Sequence, residues 1–414
     1  MHFYFYVDNI TDILQDAFQI DKQLENVMHL LENPIRSDQL LEKTFDIEHR
    51  FYASSAEPMT LKELMEFTKE NGDQHLIDLY HDHSMGYAEN AGSPDLRQEI
   101  ATLYDDSISA ENIVVFPGAQ TGMTITTQAL LHAGDHAIII TPSYQSLEEG
   151  VRYAGGSVTR ISLTPEEKWQ VNVDAVKDAI QSNTRYLVFN DPHNPSGSLM
   201  SANTKKILVA LAEQHGILIF SDEVYRLLEI NPAERSASVA EMTDHGLALG
   251  TMAKPWGAGG ACIGWVACQD HKIIEKLQKA QHLFAVCFSR PGEIQAMMVI
   301  RASDKIIERN MKIIRENLIL LDNFFAEYED LFEWIPPQAG GTGFVNFKGP
   351  LTADELGAEL LEQGILVFPP YIFDCDQALK QYFRIGFSRS TMPAALVAFK
   401  KFVDERRAQW GHRK

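Results

Sequence analysis

The sequence has few cysteines, few basic residues relative to acidic ones, and no long uncharged apolar run. Its four cysteines, at positions 262, 268, 287 and 375, show neither CxxC spacing nor histidines at zinc-ligand intervals, so neither a disulfide framework nor a metal site is predicted. The 36 Lys and Arg against 57 Asp and Glu give a net charge of −21, which excludes nucleic acid and acidic membranes as expected partners. No apolar run reaches the roughly 18 residues of a membrane span, and the start lacks a signal-peptide pattern. A cytoplasmic protein is therefore expected.

A repeated alternation of short apolar runs and longer helical patterns fills the middle of the chain. With 414 residues, 45% of them hydrophobic, the chain is long enough for two domains. Continuous apolar runs, typical of strands buried on both faces, occupy 112–116, 136–141, 185–190, 216–221 and 247–251. The segment "SANTKKILVALAEQHG" begins with a Ser and stops at a Gly, as a helix does. This alternation predicts an α/β fold around a mainly parallel sheet.

Polar or glycine-rich loops follow all five predicted strands. The loops read "PGAQTG", "PSYQS", "DPHNPSG", "DEVYR" and "MAKPWGAGG", and ligands of open α/β sheets bind at the carboxyl ends of the strands. Two of these loops carry Asp222 and Lys254. A lysine amine forms a Schiff base with an aldehyde, and a carboxylate keeps a pyridine nitrogen protonated. Together they point to a pyridine aldehyde cofactor.

The order of these motifs is similar to that of one enzyme family. From about Phe45 to about Phe402, the chain resembles fold-type I pyridoxal 5′-phosphate (PLP) enzymes of the class I/II aminotransferase family. The stretches that carry the resemblance are "GYAENAGSPDLRQEIA", "PGAQTG", "PSY", "NDPHNPSG", "SDEVY", "MAKPWGAGG" and "FRIGFSR". The resemblance implies a large domain with a mainly parallel seven-stranded sheet and a small α+β C-terminal domain. It also implies catalysis with PLP as the cofactor.

The resemblance assigns the cofactor ring to five side chains. Lys254 corresponds to the Schiff-base lysine, which also moves the substrate α-proton, and Asp222 to the partner of the pyridine nitrogen. Asn194 and Tyr225 correspond to hydrogen-bond partners of the 3′ oxygen, and Tyr144 to the aromatic that stacks on the ring. Lys254, Asp222 and Tyr225 form the implied catalytic set.

The phosphate is expected at the start of a helix. Backbone N–H groups of Gly118, Ala119 and Gln120 would hold it there with the help of the helix dipole, and Thr251 takes the place of a hydroxyl ligand. Tyr87 resembles a tyrosine that reaches the phosphate from the neighbouring subunit. A homodimer with composite active sites is therefore implied.

Substrate recognition is implied only for the group that all amino acids share. Arg384 corresponds to the arginine that binds the substrate α-carboxylate, since a planar guanidinium matches a carboxylate with two parallel hydrogen bonds. Asn194, Ser54 and Ser55 are further candidates near the substrate, and His193 adjoins Asn194. The identity of the amino acid and of the 2-oxo acid stays open.

One position departs from the family pattern. Eight residues after the Schiff-base lysine the family has an arginine that pairs with the phosphate, and this chain has Cys262. Weaker cofactor binding, compensation by another cation, and a loss of catalysis are the three interpretations. We favour compensation by Arg290 in "CFSRPGEI", from a segment that approaches the phosphate of the other subunit in this family.

The expected reaction is transamination, in which the amino group of an amino acid moves to a 2-oxo acid through the Lys254 Schiff base. The alternative is a PLP-dependent lyase or cyclase, because "FDIEHRFYASSAEPMTLKELMEF" and "ASDKIIERNMKIIRENLILLDNFF" resemble capreomycidine synthase-type enzymes of specialised metabolism. A non-catalytic binding module on the same fold is the lower alternative.

Four segments are expected along the chain. Residues 1–44 form an N-terminal helical extension, 45–79 contribute to the small domain, 80–320 form the large PLP-binding domain, and 321–414 form the C-terminal small domain. A long helix through "IIERNMKIIRENLILLDNFFAEYEDLF" leads into the small domain, whose expected strands are "GGTGFVNFKG", "GILVFPP" and "YFRIGFS".

Overall fold

A seven-stranded sheet with helices on both faces forms the larger part of the molecule. The computed structural model describes residues 36–42, 47–373 and 376–410. In strand order the large sheet reads β1-β7-β6-β5-β4-β2-β3, and a three-stranded sheet reads β10-β9-β8. Within the large sheet β7 runs opposite to the other six strands: it pairs antiparallel with β1 and β6, and the other neighbouring strands pair parallel. The α/β fold with a mainly parallel seven-stranded sheet is confirmed.

The strands of the described residues are β1 Ile113–Phe116, β2 His136–Thr141, β3 Ser157–Ser162, β4 Thr184–Asn190, β5 Leu218–Asp222, β6 Gly246–Thr251, β7 Gly264–Ala267, β8 Phe332–Glu333, β9 Thr342–Phe347 and β10 Tyr382–Gly386. The α-helices are α1 Arg36–Glu42, α2 Leu61–Glu70, α3 Gln74–Asp82, α4 Pro94–Ala101, α5 Ala119–Leu130, α6 Gln145–Tyr153, α7 Val173–Asp178, α8 Ala202–His215, α9 Val239–Met242, α10 His271–Phe284, α11 Arg290–Arg301, α12 Ser303–Glu327, α13 Ala353–Glu362 and α14 Met392–Trp410.

The apolar runs of the sequence become the centre of the large sheet. Every residue of β1, β2, β6 and β7 is buried, as expected for strands covered on both faces. The five predicted strands coincide with β1, β2, β4, β5 and β6. The strand β3 was not expected, because it lies at the edge of the sheet and its sequence "SVTRIS" is partly exposed.

Capping explains the bounds of the helix predicted after β4. The hydroxyl of Ser201 accepts a hydrogen bond from the backbone N–H of Thr204, and Gly216 ends the helix in the left-handed conformation at φ 64°. Glycine reaches this conformation without the steric cost that other residues have. The predicted helix between "SANT" and "QHG" is therefore confirmed as α8.

The smaller sheet differs in part from the expected one. Segments "GGTGFVNFKG" and "YFRIGFS" supply β9 and β10, which pair antiparallel, and the long helix is α12. The expected strand "GILVFPP" is wrong: Ile365 forms an isolated bridge to His49, and Phe368 forms another to Arg384. Prolines follow directly at 369 and 370 and have no N–H to extend the ladder. The short β8 takes the third place instead.

The expected N-terminal extension lies mostly outside the described residues, which include only 36–42 of residues 1–44. These seven residues form α1, which contacts two distant parts of the chain. The backbone N–H of Arg36 donates to Oε1 of Gln145 at 3.0 Å, and its Nη1 donates to the carbonyl of Tyr371 at 3.3 Å. In the described part of the chain, no helix has the length and apolar character that a membrane span needs.

The parallel strands bring their carboxyl ends to one edge of the large sheet. Asn190, the last residue of β4, is in register with Asp222, the last residue of β5. Asp222 is in register with Leu249 of β6, two residues before Thr251. On the other side of β6, Thr251 is aligned with Gly264, which is aligned with Phe116 at the end of β1. Loops far apart in sequence therefore meet at this edge.

A buried ion pair anchors the loop that follows β4. Nζ of Lys205 on α8 lies 2.7 Å from Oδ2 of Asp191, and both side chains are less than 5% exposed. The same amine donates to Oγ of Ser236 and to the carbonyl of Ala237. Burial by itself would lower the pKa of Lys205, but the neighbouring Asp191 carboxylate raises it above the ordinary value. Lys205 therefore keeps its positive charge at neutral pH.

Removal of the Lys205 charge is expected to destabilise the fold. In Lys205→Met the side chain keeps its length, but Asp191 is left as a buried charge without its counter-ion, which costs about 3–5 kcal/mol. Chemical denaturation of the two proteins measures the difference in unfolding free energy. Lys206→Met, at the exposed neighbouring position, is the matched control and should stay within about 0.5 kcal/mol. Equal losses of unfolding free energy in Lys205→Met and Lys206→Met would contradict a stabilising role of the Lys205–Asp191 ion pair.

Candidate active site

A cavity of about 730 Å³ opens at the carboxyl ends of the strands. The residues that line it include most of the side chains and amides predicted from the sequence. They are Ser54, Ser55, Gly118, Ala119, Gln120, Tyr144, Asn194, Asp222, Tyr225, Thr251, Lys254 and Arg384. Segments from both sheets and from α1 therefore surround one space.

Lys254 lies in the loop that follows β6, with its amine inside the cavity. Its Nζ donates to Oγ of Ser54 at 3.2 Å and lies 5.7 Å from the ring centroid of Tyr225. The backbone is fixed as well, because the Lys254 carbonyl accepts a hydrogen bond from the N–H of Ala56 at 3.0 Å. A half-buried amine held in this way is placed to react with a carbonyl compound in the cavity.

Asp222 ends β5 as a buried carboxyl group. Its Oδ1 accepts a hydrogen bond from the N–H of Val224 at 3.2 Å. Burial raises the pKa of Asp222 to about 7, although that hydrogen bond and the positive charge of Lys254 oppose the shift. A protonated ring nitrogen beside this carboxyl would stabilise its ionised form. The site is thus prepared for a cationic partner.

Asn190, the last residue of β4, contacts both the loop that carries Asn194 and the end of β5 at Asp222. Its Nδ2 donates to the carbonyl of Asp222, and its Oδ1 accepts from the N–H of Asn194, both at 2.6 Å. One buried side chain therefore fixes the backbones of two cavity residues relative to each other. Sequence reasoning missed Asn190, although its place at the last position of a predicted strand was the available signal.

Arg384 on β10 extends into the cavity from the smaller sheet and is buried. Its Nη1 donates to Oδ1 of Asn194 at 2.9 Å, and its Nη2 donates to the carbonyl of Tyr52 at 2.8 Å. The guanidinium carbon lies 4.5 Å from the ring centroid of Phe368 and 5.3 Å from that of Phe373. Burial lowers the pKa of Arg384 to about 10, so the group remains a cation at neutral pH.

The start of α5 forms an anion cradle. The N-cap residue Gly118, at φ 86°, has no side chain to cap the following amides, so the first N–H groups of the helix and its dipole face the cavity. A Cβ on Gly264 would lie 2.5 Å from the backbone nitrogen of Ala119, so β7 passes against the cradle where only glycine leaves room. Oγ1 of Thr251 donates to the carbonyl of Ile263 at 3.2 Å.

Cys262 lies beside the same cradle. Its backbone is left-handed at φ 55°, and its Sγ is 3.9 Å from the position of a Cβ built on Gly118. The thiol therefore occupies the wall where a cation would face a bound phosphate. The cationic side chains among the described residues that line the cavity are Arg50, Lys254, Arg384 and Arg389.

Tyr87 and Arg290 do not line this cavity. Both border a separate depression of about 260 Å³, where Tyr87 is 88% exposed. Nη1 of Arg290 donates to Oε2 of Glu293 at 2.7 Å, and that carboxylate is fully buried. The predicted contacts of these two residues with the phosphate are therefore not made within one chain.

Three further features of the cavity were not predicted from the sequence. Arg389 and Glu57 lie on its wall, and α1 contributes Ser37 and Leu41. Arg389 follows Arg384 by five residues in "FRIGFSRS", and that spacing was the only signal available for it. Within the described ranges no group of three His, Cys, Asp or Glu side chains could hold a metal ion.

The site and fold agree with the comparisons to known proteins. A family model described as aminotransferase class I and II matches residues 54–399. The chain belongs to this family. A probable aspartate aminotransferase of Methanocaldococcus jannaschii is 26% identical over 311 residues, 73% of this chain and 80% of the relative. The family is that of PLP-dependent enzymes that move an amino group from an amino acid to a 2-oxo acid, and this chain is one of them.

Solved structures share the whole architecture. A PLP-dependent aminotransferase from Streptococcus suis has a TM-score of 0.83 at 25% identity, covering 90% of this chain and 98% of the other. The PLP-dependent cyclase OrfR has a TM-score of 0.80 at 22% identity, with the same coverage of both chains. The fold-type I assignment, with its large domain and small α+β C-terminal domain, is therefore confirmed. The likeness to OrfR concerns the fold alone.

The cavity residues suit the chemistry of PLP. The cradle at α5 offers uncapped backbone N–H groups to a phosphate, and the buried Asp222 offers a carboxylate to a ring nitrogen. Within the described residues, Nε of Arg384 is buried without a hydrogen-bond partner, so the guanidinium keeps a donor for a carboxylate. The helix amides, the Asp222 carboxylate and the Arg384 guanidinium suit the phosphate, the pyridine nitrogen and the substrate carboxylate respectively.

The raised pKa of Asp222 predicts how the cofactor-free protein responds to pH. Between about pH 4 and pH 7 the folded protein keeps a proton that the unfolded chain has lost, so the Asp222 contribution to stability is complete below this window and decreases as the pH rises through it. Asp222→Asn removes the titration. The stability of the variant relative to the cofactor-free wild type should therefore increase from pH 5 to pH 8 in urea unfolding. If the unfolding free energies of the wild type and of Asp222→Asn changed in parallel with pH, the raised pKa of Asp222 would be contradicted.

Proposed function

We propose that Lys254 is the catalytic lysine of this aminotransferase and that Asp222, Tyr225 and Arg384 complete its reaction centre. The observation that carries the proposal is the convergence of an amine, a buried carboxyl group and a buried guanidinium in one cavity. Lys254 would hold the cofactor covalently and then, once released, move the α-proton of the amino acid at Cα. Its place between Ser54 and Tyr225 supports both roles.

The cofactor ring and its phosphate would contact different walls of the cavity. Asp222 would bind the ring nitrogen, Asn194 and Tyr225 the 3′ oxygen, and Tyr144 one face of the ring. The backbone amides of Gly118, Ala119 and Gln120, with Thr251, would hold the phosphate. Their shared presence around one cavity supports these assignments.

The chain's own groups would orient the substrate. When bound, PLP supplies an aldehyde for the amino group and a ring that stabilises a carbanion at Cα. Arg384 would bind the α-carboxylate through its guanidinium, while Asn194 holds that guanidinium in position at 2.9 Å. Ser54, which contacts Lys254, would border the reacting amino group, and Ser55 would border another part of the substrate. The low exposure of Arg384 and Asp222 keeps water away from these charged contacts.

We also propose the domain limits and the compartment. The contacts of His49 with Ile365 and of Phe51 with Gly386 support a contribution of residues 45–79 to the small domain. The limits 80–320 and 321–414 for the large and small domains stay as predicted from the sequence. Cysteines 262, 268 and 287 are free thiols, and this supports the reducing cytoplasm.

An exposed apolar patch supports a homodimer. Met85, Tyr87, Leu283, Phe284 and Val286 are large apolar side chains with more than half of their surface exposed. Nδ2 of Asn90 donates to the carbonyl of Ala285 at 2.6 Å, so the two segments adjoin. Exposed apolar patches of this kind mark association surfaces. We propose a second copy of this chain as the partner.

The same surface would deliver Tyr87 and Arg290 to the partner's cavity. Because Cys262 replaces the cation beside the cradle, the phosphate needs a positive charge from elsewhere. Arg290 borders the depression that also contains Tyr87, next to the apolar patch. The Glu293 carboxylate at 2.7 Å orients this guanidinium and leaves its remaining N–H groups available.

Transfer of a labelled amino group tests the function. The protein is incubated with PLP, a ¹⁵N-labelled amino acid and an unlabelled 2-oxo acid, over a panel of donors and acceptors, and products are identified by mass spectrometry. The label should appear in the amino acid formed from the acceptor. Lys254→Ala should form no such product and should keep no cofactor after borohydride reduction, because the amine is absent.

The alternative reaction gives a different distribution of the label. A lyase or cyclase would release ammonia or retain the label in a cyclised product, with no amino group on the acceptor. Either result would overturn transamination as the reaction of this chain. Activity of Lys254→Ala equal to that of the wild type would overturn the role of the lysine.

Mixed dimers test whether Arg290 acts across the interface. Arg290→Ala should bind PLP about 10- to 100-fold more weakly, because a charged hydrogen bond to the phosphate is lost. In a heterodimer of Lys254→Ala and Arg290→Ala subunits, one site would regain both native residues if Arg290 serves the partner. Activity should therefore return when the two inactive or weakened proteins are mixed. Unchanged PLP affinity in Arg290→Ala, or no recovery on mixing, would refute the arrangement.

A further inference from the structure

A second arginine faces the cavity from the loop after β10. Nη2 of Arg389 donates to Oγ of Ser55 at 2.7 Å, and both residues line the cavity. Nε of Arg389 is buried and has no hydrogen-bond partner among the described residues. This guanidinium is therefore oriented by the protein and still has an unused donor.

Arg389 is influenced by one acidic side chain and by one further arginine. Burial lowers the pKa of Arg389, while the carboxylate of Glu57 opposes the shift. That carboxylate also accepts a hydrogen bond from the N–H of Ser390 at 2.6 Å, and a further cation, Arg50, lines the same cavity. A partly buried guanidinium with an unused donor at its buried Nε favours an incoming anion.

One short segment relates Arg389 to the reaction centre. The carbonyl of Tyr52 accepts from Arg384, the hydroxyl of Ser54 accepts from Lys254, and the hydroxyl of Ser55 accepts from Arg389. From residue 52 to residue 55 the chain spans at most about 11 Å. Along this segment the contact of the lysine amine therefore falls between the contacts of the two guanidinium groups.

We propose that Arg389 and Ser55 form a second carboxylate subsite, so that the substrates are dicarboxylic amino acids and dicarboxylic 2-oxo acids of four or five carbons. This proposal rests on the proposed role of Arg384 as the α-carboxylate ligand. A substrate whose α-carboxylate binds Arg384 and whose Cα lies at Lys254 extends its side chain toward Arg389. A side-chain carboxylate there accepts two parallel hydrogen bonds from the guanidinium.

Binding of unreactive acids tests the subsite without turnover. Glutarate has two carboxylates and butyrate has one on a chain of similar size, and calorimetry with the PLP-loaded protein gives the affinity of each. Glutarate should bind the wild type about 10- to 100-fold more tightly than butyrate. Arg389→Ala should remove this difference, whereas Arg389→Lys should retain part of it as a point charge. Arg185→Ala, at an exposed arginine near the start of β4, is the matched control and should retain the full difference.

Steady-state kinetics separates a failure of the subsite from a failure of the function. Arg389→Ala should raise KM for glutamate and for 2-oxoglutarate with little change in kcat, and it should leave KM for alanine unchanged, because only the side-chain contact is removed. Transamination with equal preference for alanine and glutamate in the wild type would refute the subsite but not the function. A wild-type preference for arginine or lysine as amino donor that is lost on substitution of Glu57 would also refute the carboxylate subsite. No amino transfer from any donor would refute the function itself.

Discussion

The relative position of neighbouring strand ends is the constraint on which the site depends. The register of β4 with β5 places Asn190 opposite Asp222, and the Asn190 side chain then bonds both the carbonyl of Asp222 and the N–H of Asn194. A shift of one residue would turn the Asp222 carboxyl away from the cavity, since side chains alternate along a strand. The apolar faces of the sheet fix that register, so the large core also determines how Asp222 and Asn194 lie relative to each other in the cavity.

The cavity has a charge pattern opposite to that of the molecule. The whole chain has a net charge of −21, yet four cationic and two acidic side chains line the cavity in the described residues: Arg50, Lys254, Arg384 and Arg389, and Glu57 and Asp222. The local excess of cations corresponds to a cofactor phosphate and a carboxylate substrate that are both anionic. Arg384 tolerates its burial because Asn194, Tyr52 and two aromatic rings replace part of its hydration.

Sequence reasoning succeeded where local pattern and strand order carry the information. Lys254, Asp222 and Asn194 follow apolar runs, so their convergence was predictable once the runs were interpreted as parallel strands. Arg389 could not be assigned in this way, because its partner Ser55 is 334 residues distant and belongs to another segment. The failed strand at "GILVFPP" has a different cause: the backbone pairs at isolated positions and prolines follow. Side-chain contacts across segments depend on packing that no local pattern records.

Under the proposed trans role of Arg290, the cysteine at position 262 would link cofactor binding to subunit association. In the described part of one chain, the guanidinium groups of Arg384 and Arg389 are held at Asn194 and Ser55, and a thiol stands at position 262 beside the cradle. If the missing charge comes from Arg290 of a second copy, the dimer binds PLP more tightly than the monomer does. By linkage, PLP must then strengthen the dimer by the same factor. A cysteine in place of an arginine at position 262 would thus make phosphate binding depend on the second subunit.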